Sequence, residues 1–409
     1  MTNDFSTVSQ EIMNTLLRVY GKCAPLAGGS LALPELLRGT LHSSNDNPLY
    51  FHAENDVHSH TMMVTKAAYE NHTDNMALIG AALFHDSGKW WYKREDGNGR
   101  RSFKGHHLGG AAVAREALLT QEVIDELFGG VDIAWADWYA DVQVAIQHHQ
   151  LRDIPKQWLE ALASRCITTM SYEGQYYVQL VDTLAALDRR GSFNTKRKPN
   201  PHAVYVRPNR MLAPTSEIPY TLTARTNQEF LIGDVMSINP ELVVMQGVPG
   251  SGKSHMAHLL AERLGNARVV SYDDIRMEMY TEYSGDDNPS YSQAFQYAVD
   301  NKNKLASRFS EQVRAGLNDG ATVIIDNTNI STKSRRRSLA PVHGRNLRTA
   351  FVVMETHPSV ALGRNAERVG KNVPEDLIIS QHMRTSWPFE YIGRNSGMFV
   401  LLTPKPLKQ

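Results

Sequence analysis

The segment 247–254, which reads GVPGSGKS, constrains the fold of this chain more than any other stretch. It matches the pattern G-x-x-x-x-G-K-S/T, follows an apolar run of strand length at 241–246, and precedes apolar positions at helical spacing in 255–264. Glycines let backbone N–H groups curl around a phosphate, and the start of the following helix adds positive potential. The motif therefore predicts a nucleotide site, in which Lys253 reaches the outer phosphates and the Ser254 hydroxyl holds Mg²⁺. The predicted contacts to the nucleotide are Gly247, Gly250, Ser251, Gly252, Lys253 and Ser254.

Composition limits the class of protein. The chain has 409 residues, enough for two or three domains with their own cores. Its 43 basic and 43 acidic residues cancel, so any contact with nucleic acid must be local. Two distant cysteines, Cys23 and Cys166, indicate neither a disulfide framework nor a zinc-thiolate site. No signal-peptide pattern and no apolar run of transmembrane length occur, so we expect a cytoplasmic protein that does not enter a membrane.

The C-terminal part alternates short apolar runs with helical patterns, which predicts an α/β domain with a parallel sheet and helices on both faces. The predicted strands after the phosphate loop are 267–271, 321–325 and 348–355, with one long amphipathic helix at 292–317. Ligands of such sheets bind at the carboxyl ends of the strands. Polar residues at those ends are therefore candidate site residues: Asp273, Arg276, Asn327 and Thr328.

Two arginines in the segment 363–374 are candidates for a phosphate-binding lid. Arg364 and Arg368 are four residues apart, which would place both guanidinium groups on one face of a helix. A solvated basic face paired with Glu367 is the alternative interpretation of this segment.

The first 191 residues are predicted to be mostly helical and are rich in histidine. Apolar spacing of the helical type occurs at 8–20, 59–70, 75–84, 108–119 and 136–149. A single histidine on a helix is more often a surface or core group than a ligand, but here imidazoles and carboxylates recur together, a combination suited to divalent metals. The candidate ligands are His58, His60, His85, Asp86, His106, His107, His148, His149, Asp182 and Asp188.

The order of these residues resembles that of the HD phosphohydrolase superfamily, an all-α class of metal-dependent enzymes. The segment 81–89, AALFHDSGK, is similar to its central "LFHDxGK" motif, and 51–61 and 105–111 resemble its flanking histidine motifs. The resemblance implies a site for one or two ions such as Mn²⁺, Co²⁺, Ni²⁺ or Mg²⁺, with Asp86 bridging them and Lys89 stabilising phosphate charge. It assigns His60, His85, Asp86, His106 and Asp188 as ligands, and leaves open whether His148 or His149 is the next one.

Residues 192–239 are predicted to be a linker rich in proline and basic residues, between an HD-type domain at 1–191 and a kinase domain at 240–409. Five prolines interrupt the segment, and lysines and arginines are interleaved with tyrosines. A solvated linker is the simpler interpretation, and a surface that grips a nucleic acid strand is the alternative.

Four motifs in order resemble the kinase domain of phage and bacterial polynucleotide 5′-kinases: the phosphate loop, "DDIR" at 273–276, "IIDNTN" at 324–329 and "RNAERVGKNVP" at 364–374. The resemblance implies that ATP is the phosphoryl donor, that Asp273 is the general base and that Arg276 contacts the acceptor phosphate. Thr328 would lie near the acceptor, and Arg364 and Arg368 would clamp the transferred phosphate. The related enzymes have aspartate where this chain has Asn327, which leaves the acceptor contacts of this strand open.

Together the two parts resemble the bacterial two-domain enzymes that heal broken RNA ends. This resemblance implies a multidomain protein that phosphorylates 5′-hydroxyl ends of RNA and removes 2′,3′-cyclic or terminal phosphates before a separate ligase acts, and it leaves open whether DNA ends are also accepted. Two other interpretations remain. One is a nucleoside or sugar kinase fused to a nucleotide phosphohydrolase, and the other is a non-catalytic, nucleotide-regulated RNA-binding module.

Overall fold

The protein is described by a computed structural model, which covers residues 8–42, 56–99, 101–129, 132–150, 180–188, 222–388 and 398–407. These residues form two compact units. The first contains the described residues before 215 together with 382–385 and 406–407, and the second contains the rest. No helix among the described residues is long and apolar enough to cross a membrane.

The first unit is helical, as the apolar spacing predicts. All five predicted helices are present within a few residues of their expected ends. A short antiparallel hairpin, Arg94–Glu95 with Arg101–Ser102, is an addition that helical periodicity could not predict. The helices are α1 Gln10–Lys22, α2 Leu33–Arg38, α3 Val57–Asn71, α4 Met76–Phe84, α5 Lys89–Tyr92, α6 His106–Leu118, α7 Gln121–Phe128, α8 Asp132–His148 and α9, residues 180–188.

Helix α4 is the centre of this unit. Asn75 caps its start by accepting a hydrogen bond from the Leu78 N–H at 2.9 Å, and every residue from Met76 to Phe84 is buried. A helix that is apolar on all sides must be covered on all sides, and α3, α6 and α8 pack against it. The helix ends at Phe84 with His85 as its C-cap, so its C-terminal end places His85 and Asp86 in the interior of the unit.

Glycines bring the turn after α4 against the start of α6. A Cβ atom on Gly88 would lie 2.3 Å from the carbonyl oxygen of His106, and one on Gly110 would lie 2.7 Å from that of His85. Backbone atoms cannot yield to such an overlap, so larger residues at either position would push the two segments apart. The glycines of "HDSGK" and "GHHLGGA" therefore allow His106 to approach Asp86.

The second unit contains one parallel sheet of six strands, in the order β3-β8-β7-β4-β6-β5. The central strands are fully buried, because helices cover both faces and leave no solvated side. The strands are β3 Leu222–Ala224, β4 Leu242–Gln246, β5 Ala267–Val270, β6 Thr322–Asp326, β7 Thr349–Thr356 and β8 Met398–Lys405. The helices are α10 Gln228–Ile238, α11 Lys253–Leu264, α12 Tyr272–Ser284, α13 Tyr291–Asp300, α14 Lys302–Asn318, α15 Thr332–Leu339, α16 Pro358–Ala366 and α17 Glu375–Met383.

The strand order reverses at β4. From β4 the chain passes to β5, returns to β6 beside β4, and then crosses to β7 on the other side of β4. Open α/β sheets bind ligands at such a reversal, beyond the carboxyl ends of the strands. The topology therefore places the phosphate loop, which follows β4, where this class of fold holds its ligand.

Two predictions for this part of the chain need correction. The stretch predicted as one helix at 292–317 is two helices, because the Asn301 side chain donates to the Tyr297 carbonyl at 2.9 Å and ends α13 there. Part of the predicted linker is also structured. Strand β3 pairs with β8, and Leu231, Ile232 and Val235 of α10 are buried in the core against the sheet, so residues 222–238 belong to the second unit.

Candidate functional sites

The phosphate loop has the backbone that its glycines predict. Gly250 and Gly252 have φ angles of +81° and +89°, and a Cβ atom on Gly250 would lie 2.1 Å from the carbonyl oxygen of Ala361. The Thr356 hydroxyl donates to the carbonyl oxygen of Ser251 at 3.1 Å and ties the loop to the end of β7. Helix α11 begins at Lys253, so its free backbone N–H groups face the loop.

Charges converge around Lys253. Burial lowers the pKa of its ammonium, Asp326 and Asp273 oppose that shift, and the positive charges of Arg368 and Lys371 add to it. Asp326 ends β6 beside β4, and its Oδ1 is buried without a hydrogen-bond partner among the described residues. A buried carboxylate oxygen at this edge suits Mg²⁺, which prefers oxygen ligands. Asp326 was not among the candidate ligands selected from the sequence, although an apolar run ending in aspartate was a signal for it.

Asp273 lies in the first turn of α12 and accepts from three donors. The Tyr291 hydroxyl donates to Oδ1 at 2.7 Å, Arg276 also donates to Oδ1, and the Lys371 ammonium binds Oδ2. Burial raises the pKa of this carboxyl, but Lys371 above all, together with Tyr291 and Arg276, outweighs burial and lowers it. Asp273 is therefore ionised at neutral pH. Lys371 and Tyr291 were not among the predicted site residues.

The two lid arginines do not lie on one helix face, so that prediction is wrong. Helix α16 ends at Ala366, because the Asn365 side chain holds Val373 through hydrogen bonds to both its N–H and its carbonyl and turns the chain away. Arg364 lies in the last turn, where its Nη1 is 3.5 Å from the position of a Cβ atom on Gly252. Arg368 follows the helix and acts electrostatically on Lys253. Both arginines still belong to the surroundings of the phosphate loop.

Asn327 and Thr328 make structural contacts at the end of β6. The Asn327 Oδ1 accepts from the Tyr272 N–H at 3.0 Å, and the Thr328 carbonyl accepts from the Gly247 N–H at 2.9 Å. These bonds position the start of α12 and the start of the phosphate loop. Contact of either side chain with an acceptor remains a prediction, as does the role of Ser254.

In the first unit, histidines and aspartates from five segments converge on Asp86. The Nε2 atoms of His60 and His85 lie 3.5 Å and 3.4 Å from Asp86 Oδ2. Those of His106 and His149 lie 3.1 Å and 3.8 Å from Asp86 Oδ1. The side chains form two groups of potential metal ligands that share Asp86: His60, His85, Asp86 and Asp188, and then Asp86, His106 and His149.

Backbone carbonyls orient three of the imidazoles. The Nδ1 atoms of His85, His106 and His149 lie 2.8 Å, 2.7 Å and 2.8 Å from carbonyl oxygens of their own helices or turns. If each Nδ1 donates, a neutral imidazole presents a lone pair on Nε2, and these three buried Nε2 atoms face the oxygens of Asp86 at 3.1–3.8 Å. Metal-binding histidines are oriented in this way by partners outside the ligand set. The donor set therefore fits divalent ions on both sides of Asp86.

The cluster favours a positive charge between its carboxylates. Burial lowers the pKa of His85, yet the carboxylates of Asp86 and Asp188 outweigh burial and raise it to about 10, so without an ion a proton occupies Nε2, and a bound metal would have to replace that proton. Burial raises the pKa of Asp86, but Lys89 and His85 hold it well below its usual range. Lys89 is itself buried, with Nζ 2.6 Å from Asp86 Oδ2 and 3.3 Å from Nδ1 of His42, a residue that sequence reasoning did not select.

The structure separates the alternative ligands. His149 and Asp188 lie in the cluster, whereas His148 and Asp182 do not. Burial and the neighbouring His149 lower the pKa of His148 to about 4. His58 lies beside the Tyr20 hydroxyl, 2.9 Å from its Nδ1. His107, the other alternative, is also outside the two groups.

A matched pair of adjacent histidines tests this placement. His149→Ala should weaken the binding of one of two divalent ions by more than about tenfold, which is the lower limit of the loss typical of an outer-shell partner. His148→Ala should leave both ions bound, because its imidazole lies outside both groups of potential ligands. Calorimetric titration of the metal-free protein with Mn²⁺ measures the affinity of both sites. Equal losses in the two variants would contradict the assignment of His149.

Comparison with known proteins places the second unit in a class. Residues 242–389 match the family model described as AAA domain, which covers about a third of the chain. This match contains the phosphate loop and the strands β4, β5, β6 and β7, so the second unit combines a phosphate loop with the parallel sheet of a nucleotide-binding α/β domain. A solved structure of a gluconokinase from Sinorhizobium meliloti 1021 is similar at 20% identity, over 40% of this chain and 83% of that chain, with a TM-score of 0.26. No curated protein matches this chain.

Proposed function

We propose that this protein is a bifunctional enzyme that heals RNA ends. The second unit would phosphorylate 5′-hydroxyl ends with ATP, and the first would remove 2′,3′-cyclic or terminal phosphates with a divalent metal. The observation that carries the proposal is the presence in one chain of a P-loop kinase-like unit and of a second unit whose histidines surround a buried aspartate, Asp86. Ribonuclease-type cleavage leaves both kinds of end, and a separate ligase would join them once both are healed.

In the kinase reaction Asp273 would orient the acceptor. A carboxylate has about four lone-pair positions, and three donors occupy Asp273, which leaves one for the 5′-hydroxyl. The hydroxyl oxygen would bond to the γ-phosphorus and pass its proton to Asp273, while the bond to the β-phosphate oxygen breaks and ADP leaves. Lys253, Arg364 and Arg368 would stabilise the charge on the transferred group, and Ser254 and Asp326 would hold Mg²⁺.

In the phosphatase reaction the two ligand groups around Asp86 would hold one ion each. Divalent ions bound there would polarise a phosphate ester and acidify water at neutral pH. His85, His106 and His149 keep the required geometry through their Nδ1 contacts, and Asp86 offers one oxygen to each side. Lys89 lies beside Asp86, where its ammonium would neutralise part of the phosphate charge.

Two end-labelled RNA oligonucleotides test the proposal. One carries a 5′-hydroxyl and is incubated with ATP and Mg²⁺, and the other carries a 2′,3′-cyclic phosphate and is incubated with Mn²⁺, Co²⁺, Ni²⁺ or Mg²⁺. Both should react with the purified full chain. Phosphorylation of free nucleosides or sugars in preference to the oligonucleotide would favour a small-molecule kinase. Binding of ATP without any turnover would favour a non-catalytic module.

A further inference from the structure

Aromatic and cationic side chains border Asp273 on the side formed by α12 and α13. Arg276 lies one turn after Asp273 on α12, and Tyr291 and Phe295 lie one turn apart on the same face of α13. The Tyr291 hydroxyl donates to Asp273, and its ring centroid is 6.2 Å from that of Phe295. Tyr291 therefore contacts both the Phe295 ring and the carboxylate that would orient the acceptor.

Phe295 differs from Tyr272 and Tyr283, because no aromatic ring of the described residues stacks on it. Its side chain is 45% exposed, and its ring is approached by Arg276, whose Cζ lies 5.2 Å from the ring centroid. Tyr272 stacks on Phe309 at 4.4 Å, and Tyr283, although exposed, stacks on Tyr297 at 4.5 Å. The rings of Tyr272 and Tyr283 therefore have stacking partners within the protein.

Arg276 has hydrogen-bonding capacity beyond its bonds to the protein. Its contacts with Asp273 and the Tyr291 hydroxyl both use Nη1, and a guanidinium has five N–H donors in all. Nε and Nη2 could bind a phosphate, for which a planar fork is well suited. The Arg276 guanidinium and the Phe295 ring thus offer adjacent contacts for an anion and for a flat apolar group.

We propose that Phe295 is the stacking surface for the base of the acceptor's terminal nucleotide, with Arg276 binding the phosphate that follows this nucleotide. The inference rests on the proposed kinase function and specifies its acceptor as a polynucleotide end. Stacking on an aromatic ring tolerates every base, because each base has a π-face. A subsite of this kind selects strands over sugars while leaving base sequence open.

Acceptors with and without a terminal base test the proposal. The wild type is compared with Phe295→Ala on a 5′-hydroxyl oligonucleotide and on the same strand with an abasic 5′-terminal residue, with ATP in excess. Phe295→Ala should raise the KM for the complete strand about 5- to 150-fold, the effect typical of losing one stacking ring. Its KM for the abasic strand should match that of the wild type, and Phe295→Trp should keep the low KM for the complete strand.

The control is Val299→Ala, which removes the exposed apolar side chain one turn further along α13, 51% exposed, and should change neither KM. Equal losses on complete and abasic strands would overturn the proposal, because Phe295 would then act only by positioning Arg276. An unchanged KM in Phe295→Ala, with a wild type that phosphorylates oligonucleotides well, would overturn it and leave the kinase function intact. A wild type that phosphorylates no oligonucleotide would overturn both.

Discussion

Asp86→Asn is expected to abolish release of phosphate from 2′,3′-cyclic ends, with a loss of more than about 100-fold, because this carboxylate is shared by both ligand groups. Loss of an outer-shell partner already costs about 10- to 100-fold in metal-dependent sites, and a shared ligand should cost more. Metal analysis by mass spectrometry should show a lower occupancy of both ion sites. His106→Ala, which removes a potential ligand from one group, should lower the occupancy of one site and leave the other unchanged.

Asparagine is a better replacement for Asp86 than alanine, because Lys89 is buried against the Asp86 side chain. Removing one partner of a buried pair typically destabilises a protein by about 3–5 kcal/mol, and the amide at least preserves shape and one oxygen. Phosphorylation of 5′-hydroxyl ends by Asp86→Asn should equal that of the wild type. If the variant instead melts early and wild-type phosphatase activity does not depend on added metal, His85 and Asp86 form a structural pair in the core.

Asp273→Asn is expected to lower kcat for phosphorylation of 5′-hydroxyl ends by about 10²- to 10⁴-fold, the range typical of a positioned acid–base group. The amide keeps the shape of the side chain but loses the negative charge that binds Lys371 and Arg276 and that would accept the proton of the acceptor hydroxyl. ATP affinity and the melting temperature should change little, since Asp273 is partly exposed. Steady-state kinetics with an oligonucleotide acceptor measure the effect, and a variant that melts early but turns over normally would assign Asp273 a structural role.

The pH dependence of kcat provides a second test of the role of Asp273. Because Lys371 helps to lower the pKa of Asp273, we expect the wild-type carboxylate to stay ionised as the pH falls and the proposed phosphorylation to persist in mild acid. Lys371→Met removes that charge, so the pKa of Asp273 should rise and the acidic limb of kcat should move to higher pH. An acidic limb at the same pH in both proteins would mean that another group controls it.

The sequence predicted the fold best where local chemistry leaves few alternatives. The phosphate loop could be recognised because its glycines and lysine are typical of a strand–loop–helix unit, and the alternation of short apolar runs with helical patterns predicted a parallel sheet covered on both faces. Predictions failed where a side chain overrides periodicity. Asn301 ends a helix through its own amide, and Asn365 turns the chain before Arg368 can join the helix of Arg364.

The sequence by itself was enough to identify the candidate residues of both sites, because glycine spacing, histidine–aspartate pairs and strand ends are local features. Only the tertiary structure decided which of those residues meet. His149 and Asp188 join Asp86 although their sequence neighbours His148 and Asp182 do not, because the direction of a side chain at the end of a helix depends on how that helix packs. Likewise Lys371 and Tyr291 reach Asp273 from segments distant in sequence. Contacts of this kind depend on the packing of whole elements, which periodicity and spacing do not encode.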